Sequence, residues 1–298
     1  MFRRLWRLAV LMVLVVLAAE LGYAVWQYTR TKQIRQSLYA AVEPVTVTNC
    51  DLKRFGDAND GGYLLCGNLL TEAQVAYSYG INATDNWGCQ MSETLKVAVH
   101  QYDCFNTGVP ECPGGDTRFH AECVGPEPST MDGLLFDSVS NQVSKNGDAG
   151  KRLVMKMDVE GAEWASLVTT PDAVLNEIDQ LAVEFHEVEK PTFLATIERL
   201  KQFFHIAHVH LNNFDCGPGF EPFPSQVFEV LFVSKRLGKI DSSINARGPS
   251  PLDAPNSPLI ADCQAPPTGG ELANIGHWVQ RKRVVWYNDW KDRLLPPY

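Results

Sequence analysis

The chain has 298 residues, 45% of them hydrophobic and 20% charged, which is enough apolar side chain for one large or two small globular cores. Its formal net charge of −9 arises from 35 acidic and 26 basic residues spread along the sequence. With no basic run to neutralise a phosphate backbone, nucleic acid is not an expected partner, and the absence of a fixed-period repeat argues against a solenoid or propeller.

Arg3, Arg4 and Arg7 precede an apolar run from Leu8 to Ala19 that continues to Trp26 and contains only Glu20 as a charged residue. A helix of about 19 such residues crosses a hydrocarbon layer of about 30 Å, and Trp6 and Trp26 near its ends suit the headgroup level. Residues 1–27 therefore read as a single-pass signal anchor. Gly22-Tyr23-Ala24 keeps a cleaved signal peptide open as the competing reading. Arg30, Lys32 and Arg35 balance the three leading arginines, so the charge rule barely orients the span. Eight cysteines, all beyond the apolar run, favour an oxidising compartment with the catalytic domain on the non-cytosolic side. A set of reduced, partly buried thiols is the alternative. No paired C-x-x-C spacing indicates zinc.

Residues 28–44 read as a polar helical stalk ending at Pro44, and the domain is expected over 45–236. Strand-length apolar runs lie at Gln74 to Gly80, Val97 to Asp103, Thr117 to Cys123, Arg152 to Asp158, Asp179 to Phe185, His205 to Leu211 and Val227 to Ser234. Between them Trp87, Met91 and Leu95, then Leu135, Val139 and Val143, recur at helical spacing, and Pro191 to Phe204 reads as an amphipathic helix. This alternation predicts an α/β fold with a mainly parallel sheet covered by helices on both faces. Residues 237–298 form a Pro-rich extension, with Gly248-Pro249-Ser250-Pro251, Pro255, Pro258 and Pro266-Pro267 as extended loop; Val284 to Trp290 is aromatic enough to pack back.

In an open parallel sheet ligands bind beyond the carboxyl ends of the strands. The first strand ends in Gly80-Ile81-Asn82 and the second in Asp103, a turn glycine followed by an acid able to hold ribose hydroxyls; each alone is commonplace. No G-x-G-x-x-G run is present, which argues against a nicotinamide or flavin dinucleotide. The fourth strand ends in Lys156-Met157-Asp158-Val159-Glu160-Gly161-Ala162-Glu163, three carboxylates within six residues. Asp158 as a helix cap, with Glu160 and Glu163 on the helix dipole, is the structural alternative to a reactive site. The fifth strand brings Glu184, His186 and Glu187 to the same rim, and two strands converging on one rim favour a site.

The block Lys156 to Glu163 resembles the signature after the fourth strand of FkbM-type methyltransferases. Asp60-Gly61-Gly62-Tyr63, Tyr77 to Ile81 and Gln101-Tyr102-Asp103 are similar to further blocks of that family, over roughly residues 50 to 235. The resemblance implies a Rossmann-like class I methyltransferase fold with a seven-stranded sheet, and S-adenosylmethionine as methyl donor. It implies that Asp60, Gly61, Gly62, Gly80, Asn82 and Asp103 line the cofactor, and that Asp158 and Glu160 face the reacting centre. Ser78 and Asn82 depart from the commoner first motif of an acid and two close glycines.

Oxygen methylation then needs a base, for which Asp158, Glu160 and His186 are the candidates. An ion held by Asp158, Glu160 and Glu184 is an alternative way to lower the hydroxyl pKa. The acceptor, a small-molecule, lipid or glycan hydroxyl, depends on loops such as Cys104 to Asp116 and Phe214 to Ser225. Two other classes compete: a metal-dependent glycosyltransferase using Asp158-Val159-Glu160, and a catalytically silent domain of the same fold. Asn82-Ala83-Thr84 is a glycosylation sequon inside the expected cofactor loop, expected to stay unmodified. Cys50 and Cys66, which bracket the Asp60 block, are the expected disulfide.

Overall fold

The computed structural model describes residues 2–241, 249–263 and 270–294, with side chains described as far as residue 283. Gly248, Pro266 and Pro267 lie outside the described residues, as do the side chains of Val284 to Trp290.

Helix α1 (Phe2–Ala41) precedes a hairpin of β1 (Leu52–Gly56) and β2 (Gly62–Cys66). The central segment runs β3 (Val75–Tyr79), α2 (Asn86–Leu95), β4 (Ala98–Tyr102), β5 (Asp116–His120), β6 (Cys123–Val124), β7 (Ser129–Met131), β8 (Leu134–Asp137) and α3 (Val139–Lys145). Then follow β9 (Leu153–Met157), α4 (Glu163–Thr169), α5 (Asp172–Glu177), β10 (Ile178–His186), α6 (Pro191–Phe203), β11 (Phe204–Leu211), β12 (Val227–Ser234) and α7 (Glu271–Leu294).

Seven strands form one sheet in the order β11-β12-β10-β9-β3-β4-β5. It is mixed: β10, β9, β3, β4 and β5 are parallel, whereas β12 runs antiparallel to both β10 and β11. A parallel return from β11 would need a crossover of a dozen or more residues, usually helical. The connection contains only the short 3-10 turn Asn213–Asp215, so the chain doubles back instead.

Alternation along the buried strands supplies two cores. Tyr77, Tyr79, Met155, Met157, Val183 and Phe185 face α1, α4 and α6, whereas Ala76, Val99, Val154 and Ala182 face α2 and the hairpin. The buried Gln180 side chain holds the hairpin to the sheet, accepting from Cys66 N at 2.8 Å and donating to Cys66 O at 3.0 Å. The Cys50–Cys66 disulfide closes the same hairpin, and Cys89–Cys112, Cys104–Cys123 and Cys216–Cys263 pair the remaining cysteines.

Two expected elements are placed differently. Leu135 lies on β8 rather than a helix, because Asp132 and Gly133 turn the chain at positive φ and Ser138 caps α3 only from Val139. The third sheet strand stops at His120, leaving Cys123 to β6 in a separate three-stranded sheet.

The apolar run and the segment after it form one uninterrupted helix. From Leu8 to Leu17 the large side chains are exposed, as suits a span that is long and apolar enough to cross a membrane. Beyond it, Tyr28, Leu38, Ala41 and Val42 belong to the core, so residues 28–42 are packed on the domain instead of standing free of it. Arg35 is fully buried; its Nη1 pairs with Glu189, and its Nε donates to Glu221 O at 3.0 Å. Glu189 also accepts from Trp278 Nε1 at 2.7 Å and pairs with Lys282, so α1, α7 and the loop before α6 share one buried charge.

Removing one partner of a buried ion pair costs about 3–5 kcal/mol, and Lys282 holds this case near the lower end. A soluble fragment starting at residue 45 is therefore expected to melt at least about 6–12 °C below one starting at residue 28. Scanning calorimetry of the two fragments checks this; equal melting temperatures would show that the helix contributes nothing to the fold.

Candidate functional site

The strand order reverses between β3 and β9: β4 and β5 extend to one side, and β10, β12 and β11 to the other. The crevice this creates opens at the carboxyl ends of the parallel strands. Gly80 and Asp158 stand there side by side. Gly80 has φ +73°, and a Cβ on it would lie 1.6 Å from the Asp158 carbonyl oxygen. The glycine is thus required by the approach of two backbone segments, whatever else fills the crevice. The buried Lys156 ammonium donates to Tyr79 O at 3.2 Å and to Gly80 O, holding the turn.

A cavity of about 420 Å³ opens at this point, within the range of small-molecule sites. Of the residues singled out in the sequence, Asp60, Gly80, Asn82, Asp103, Asp158 and Glu160 line it. Tyr79, Tyr102, Phe105, Val124 and Phe136 supply apolar wall, and the Cys104–Cys123 bridge is built into it. Gly61 and Gly62 are not in the lining. They make the β1–β2 turn, where Gly61 has φ +80° and a Cβ on Gly62 would lie 1.9 Å from Asp57 O.

Asp103 reaches the cavity with its carboxylate already engaged. Oδ2 accepts from Ile81 N at 3.1 Å and Asn82 N at 2.8 Å, and Oδ1 accepts from Phe105 N and Asn106 N, both at 2.9 Å. Four backbone donors fill the usual capacity of a carboxylate. Asp103 therefore organises two loops, one of which holds Asn82 and Ala83 at φ 46° and 61°. Asn82 is exposed at the rim, its Oδ1 accepting from Asn106 Nδ2 at 3.0 Å.

His186 lies outside the lining but touches it through two carboxylates. Its Nδ1 is 3.2 Å from Glu163 Oε1, while its Nε2 is 3.4 Å from Glu160 Oε2 and 4.0 Å from Asp158 Oδ1. Burial opposes the imidazolium, but the hydrogen bond and charge of Glu163, with Asp158 and Glu160, outweigh it and raise the His186 pKa above its ordinary value. Asp158 Oδ2 accepts from Tyr63 Oη at 3.0 Å and lies 3.6 Å from Lys156 Nζ. The hairpin thus delivers Tyr63 to the site, and the sequence reading quoted this residue without giving it a role.

Glu163 is the other residue left without a distinct role. It is fully buried at the start of α4 and accepts from His186 N at 2.6 Å and Gly161 N at 2.8 Å. It therefore locks the Glu160-Gly161 turn, which has positive φ at both residues, to the end of β10. Glu163→Gln places an amide where Glu163 accepts backbone hydrogen, and a loss of about 1–3 kcal/mol is expected. Faster hydrogen exchange at Gly161 and His186 reads that loss; unchanged protection would remove Glu163 as the anchor.

The acidic rim continues under the hairpin. Glu184 on β10 pairs in register with Glu229 on β12, and His210 on β11 pairs with Glu229 from the other side. Like charges directly opposite on a sheet destabilise it. Burial first, then Asp158 and Glu229, push the Glu184 carboxyl well above the usual carboxylate range. Asn212 Nδ2 donates to Glu184 Oε1 at 2.8 Å, and Asn256 Nδ2 to Glu229 Oε1 at 2.8 Å. Asn256 belongs to a strap, residues 249–263, that Cys216–Cys263 and a 2.8 Å His208–Asp253 contact tie across β11.

His210 is 7% exposed; burial alone would lower its pKa, but Glu229, Asp253 and Asp262 raise it to about 9. Against an unfolded value of about 6.5, its stabilisation is complete below pH 6.5 and is lost as pH rises through 9. The full linkage is on the order of 3 kcal/mol. Thermal unfolding between pH 6 and 10 is expected to show this decline, flattened in His210→Gln; parallel profiles would exclude His210 as its source.

No protein-family model matches this chain, and no curated protein matches it.

Proposed function

We propose that this chain is an S-adenosylmethionine-dependent methyltransferase acting on a hydroxyl acceptor. The observation that carries the reading is the cavity at the strand-order reversal, whose lining combines the Gly80 turn, the Asp103 loops and the Asp158–Glu160 rim. The sheet order supports it as well. Counted along the chain, five strands follow the 3-2-1-4-5 arrangement of doubly wound nucleotide-binding folds, and an antiparallel pair replaces the sixth. A class I methyltransferase fold accommodates that arrangement.

When bound, S-adenosylmethionine supplies a methyl group already activated on a sulfonium. The chain's own residues have three tasks. The Tyr79, Tyr102, Val124 and Phe136 wall excludes water from one side of the crevice. Asp103 orders the loop that presents Asn82, and ribose hydroxyls approaching it compete with four backbone amides, so loop organisation is its first role. The Asp158, Glu160 and His186 group takes the proton from the acceptor hydroxyl, with Tyr63 and Lys156 fixing Asp158 Oδ2 and leaving Oδ1 towards His186. Four disulfides support placing the domain in an oxidising compartment.

The test is calorimetric titration of the full chain in detergent with S-adenosylhomocysteine. Saturable binding is expected, weakened at least tenfold in Asp103→Ala; Asp158→Asn is expected to retain the fold and lose turnover by at least a hundredfold. A folded chain that ignores S-adenosylhomocysteine but binds a sugar nucleotide with Mn2+ would replace this reading with glycosyl transfer, and one that binds neither would leave a silent domain.

A further inference from the structure

The Asp158–Glu160–His186 group has a geometry beyond what proton transfer requires. One ligand atom from each residue lies within 4.8 Å of the other two. Ligands about 2.1 Å from a first-row ion in tetrahedral array stand about 3.4 Å apart, close to the 3.4 Å from His186 Nε2 to Glu160 Oε2. The atoms not facing this point are occupied elsewhere. His186 Nδ1 is held by the fully buried Glu163, the arrangement that orients a metal-bound imidazole, and Asp158 Oδ2 is held by Tyr63 and Lys156. What remains free and convergent is Asp158 Oδ1, Glu160 Oε2 and His186 Nε2.

An independent observation comes from Glu184. It is 4% exposed, its Oε1 lies 3.7 Å from His186 Nε2, and its Oε2 has no hydrogen-bond partner. A carboxylate oxygen buried beside other carboxylates without a hydrogen-bond partner is relieved either by a proton or by a positive charge placed among them, and the convergent ligand atoms of Asp158, Glu160 and His186 offer a place for the second. Lys156 Nζ is directed to the Tyr79 and Gly80 carbonyls and to Asp158, and His186 Nδ1 to Glu163, so neither answers Glu184 Oε2. The second grouping of metal-ligating types, Cys89, Glu93 and Cys112, offers no such centre because its sulfurs are joined to each other.

We infer that Asp158, Glu160 and His186 bind a divalent first-row cation at the cavity rim, with Glu184 balancing its charge from the second layer. Two oxygens and one imidazole nitrogen suit Mn2+ or Zn2+, and three protein ligands leave positions open for an exogenous oxygen. The open side faces the cavity, because Glu160 is 86% exposed and lines it together with Asp158. A role for the ion in lowering the pKa of an acceptor hydroxyl rests on the methyl-transfer reading and would stand in place of proton uptake by these three side chains while they hold it, whereas the ion site itself rests on the ligand geometry and on Glu184.

The test uses the full chain in detergent and the loss of the free Mn2+ electron paramagnetic resonance signal on titration, with S-adenosylhomocysteine binding measured separately without metal. One Mn2+ per chain is expected, with affinity reduced at least tenfold in Glu160→Gln and in His186→Ala. The exposed Glu160 side chain makes the first variant safe for folding, and thermal unfolding confirms it. A folded parent that binds neither Mn2+ nor, in a parallel titration, Zn2+ overturns the ion site, as does equal binding by Glu160→Gln. Mn2+ binding that these variants lose, in a chain that ignores S-adenosylhomocysteine, upholds the ion site and overturns the methyl-transfer reading instead.

Discussion

The approach of Gly80 to the Asp158 carbonyl is the contact on which the rest of this architecture turns. It brings the ends of β3 and β9 together where the sheet reverses its order, so the loops that leave them must diverge. One loop carries Asn82 and is tied down by Asp103; the other carries Glu160 and is tied down by Glu163. Lys156 closes the junction by reaching from the middle of the sheet to the carbonyls at its edge. A side chain at position 80 would force the two ends apart and with them both walls of the cavity.

The second constraint is electrostatic. Glu184 and Glu229 come from two strands, Asp158 from the residue after β9 and Glu163 from the start of α4, yet all four gather at one end of the sheet. Each is offset locally, by Tyr63 and Lys156, by backbone amides, by Asn212, or by Asn256 and His210. Hydrophobic residues of similar volume would give a more stable sheet at these positions. That the chain keeps carboxylates here instead, at the one rim where the topology opens a crevice, is the local exception that marks a site.

Much of this was legible before the fold was known, and the reasons are physical. Val75 to Tyr79 and Leu153 to Met157 are buried on both faces, so their apolar runs stand out without any periodicity test. The carboxylates of the Asp158 block stood out because charge at the end of such a run needs a reason. The direction of β12 did not, since a strand buried on both faces reads the same either way; only the missing helix between Leu211 and Val227 carried the information. Glu229 and His210 also escaped notice, although the His208 and His210 alternation on β11 was a period-two signal of one polar face. Asp103 was found for its position, but its engagement by four amides depends on loops whose path no spacing rule describes. Gly61 and Gly62 were read for closeness to a ligand, whereas the space they vacate is filled by the backbone of their own turn.

Helix α1 runs without a break from its exposed apolar half to the buried Arg35, over 40 residues or about 60 Å. With the apolar half in a bilayer, the domain has no swivel: the helix that spans is the helix that packs. The crevice then keeps one working height and one facing relative to the membrane plane. Any molecule entering the crevice would be sorted by how far it stands off the lipid surface before any side chain in the cavity is consulted.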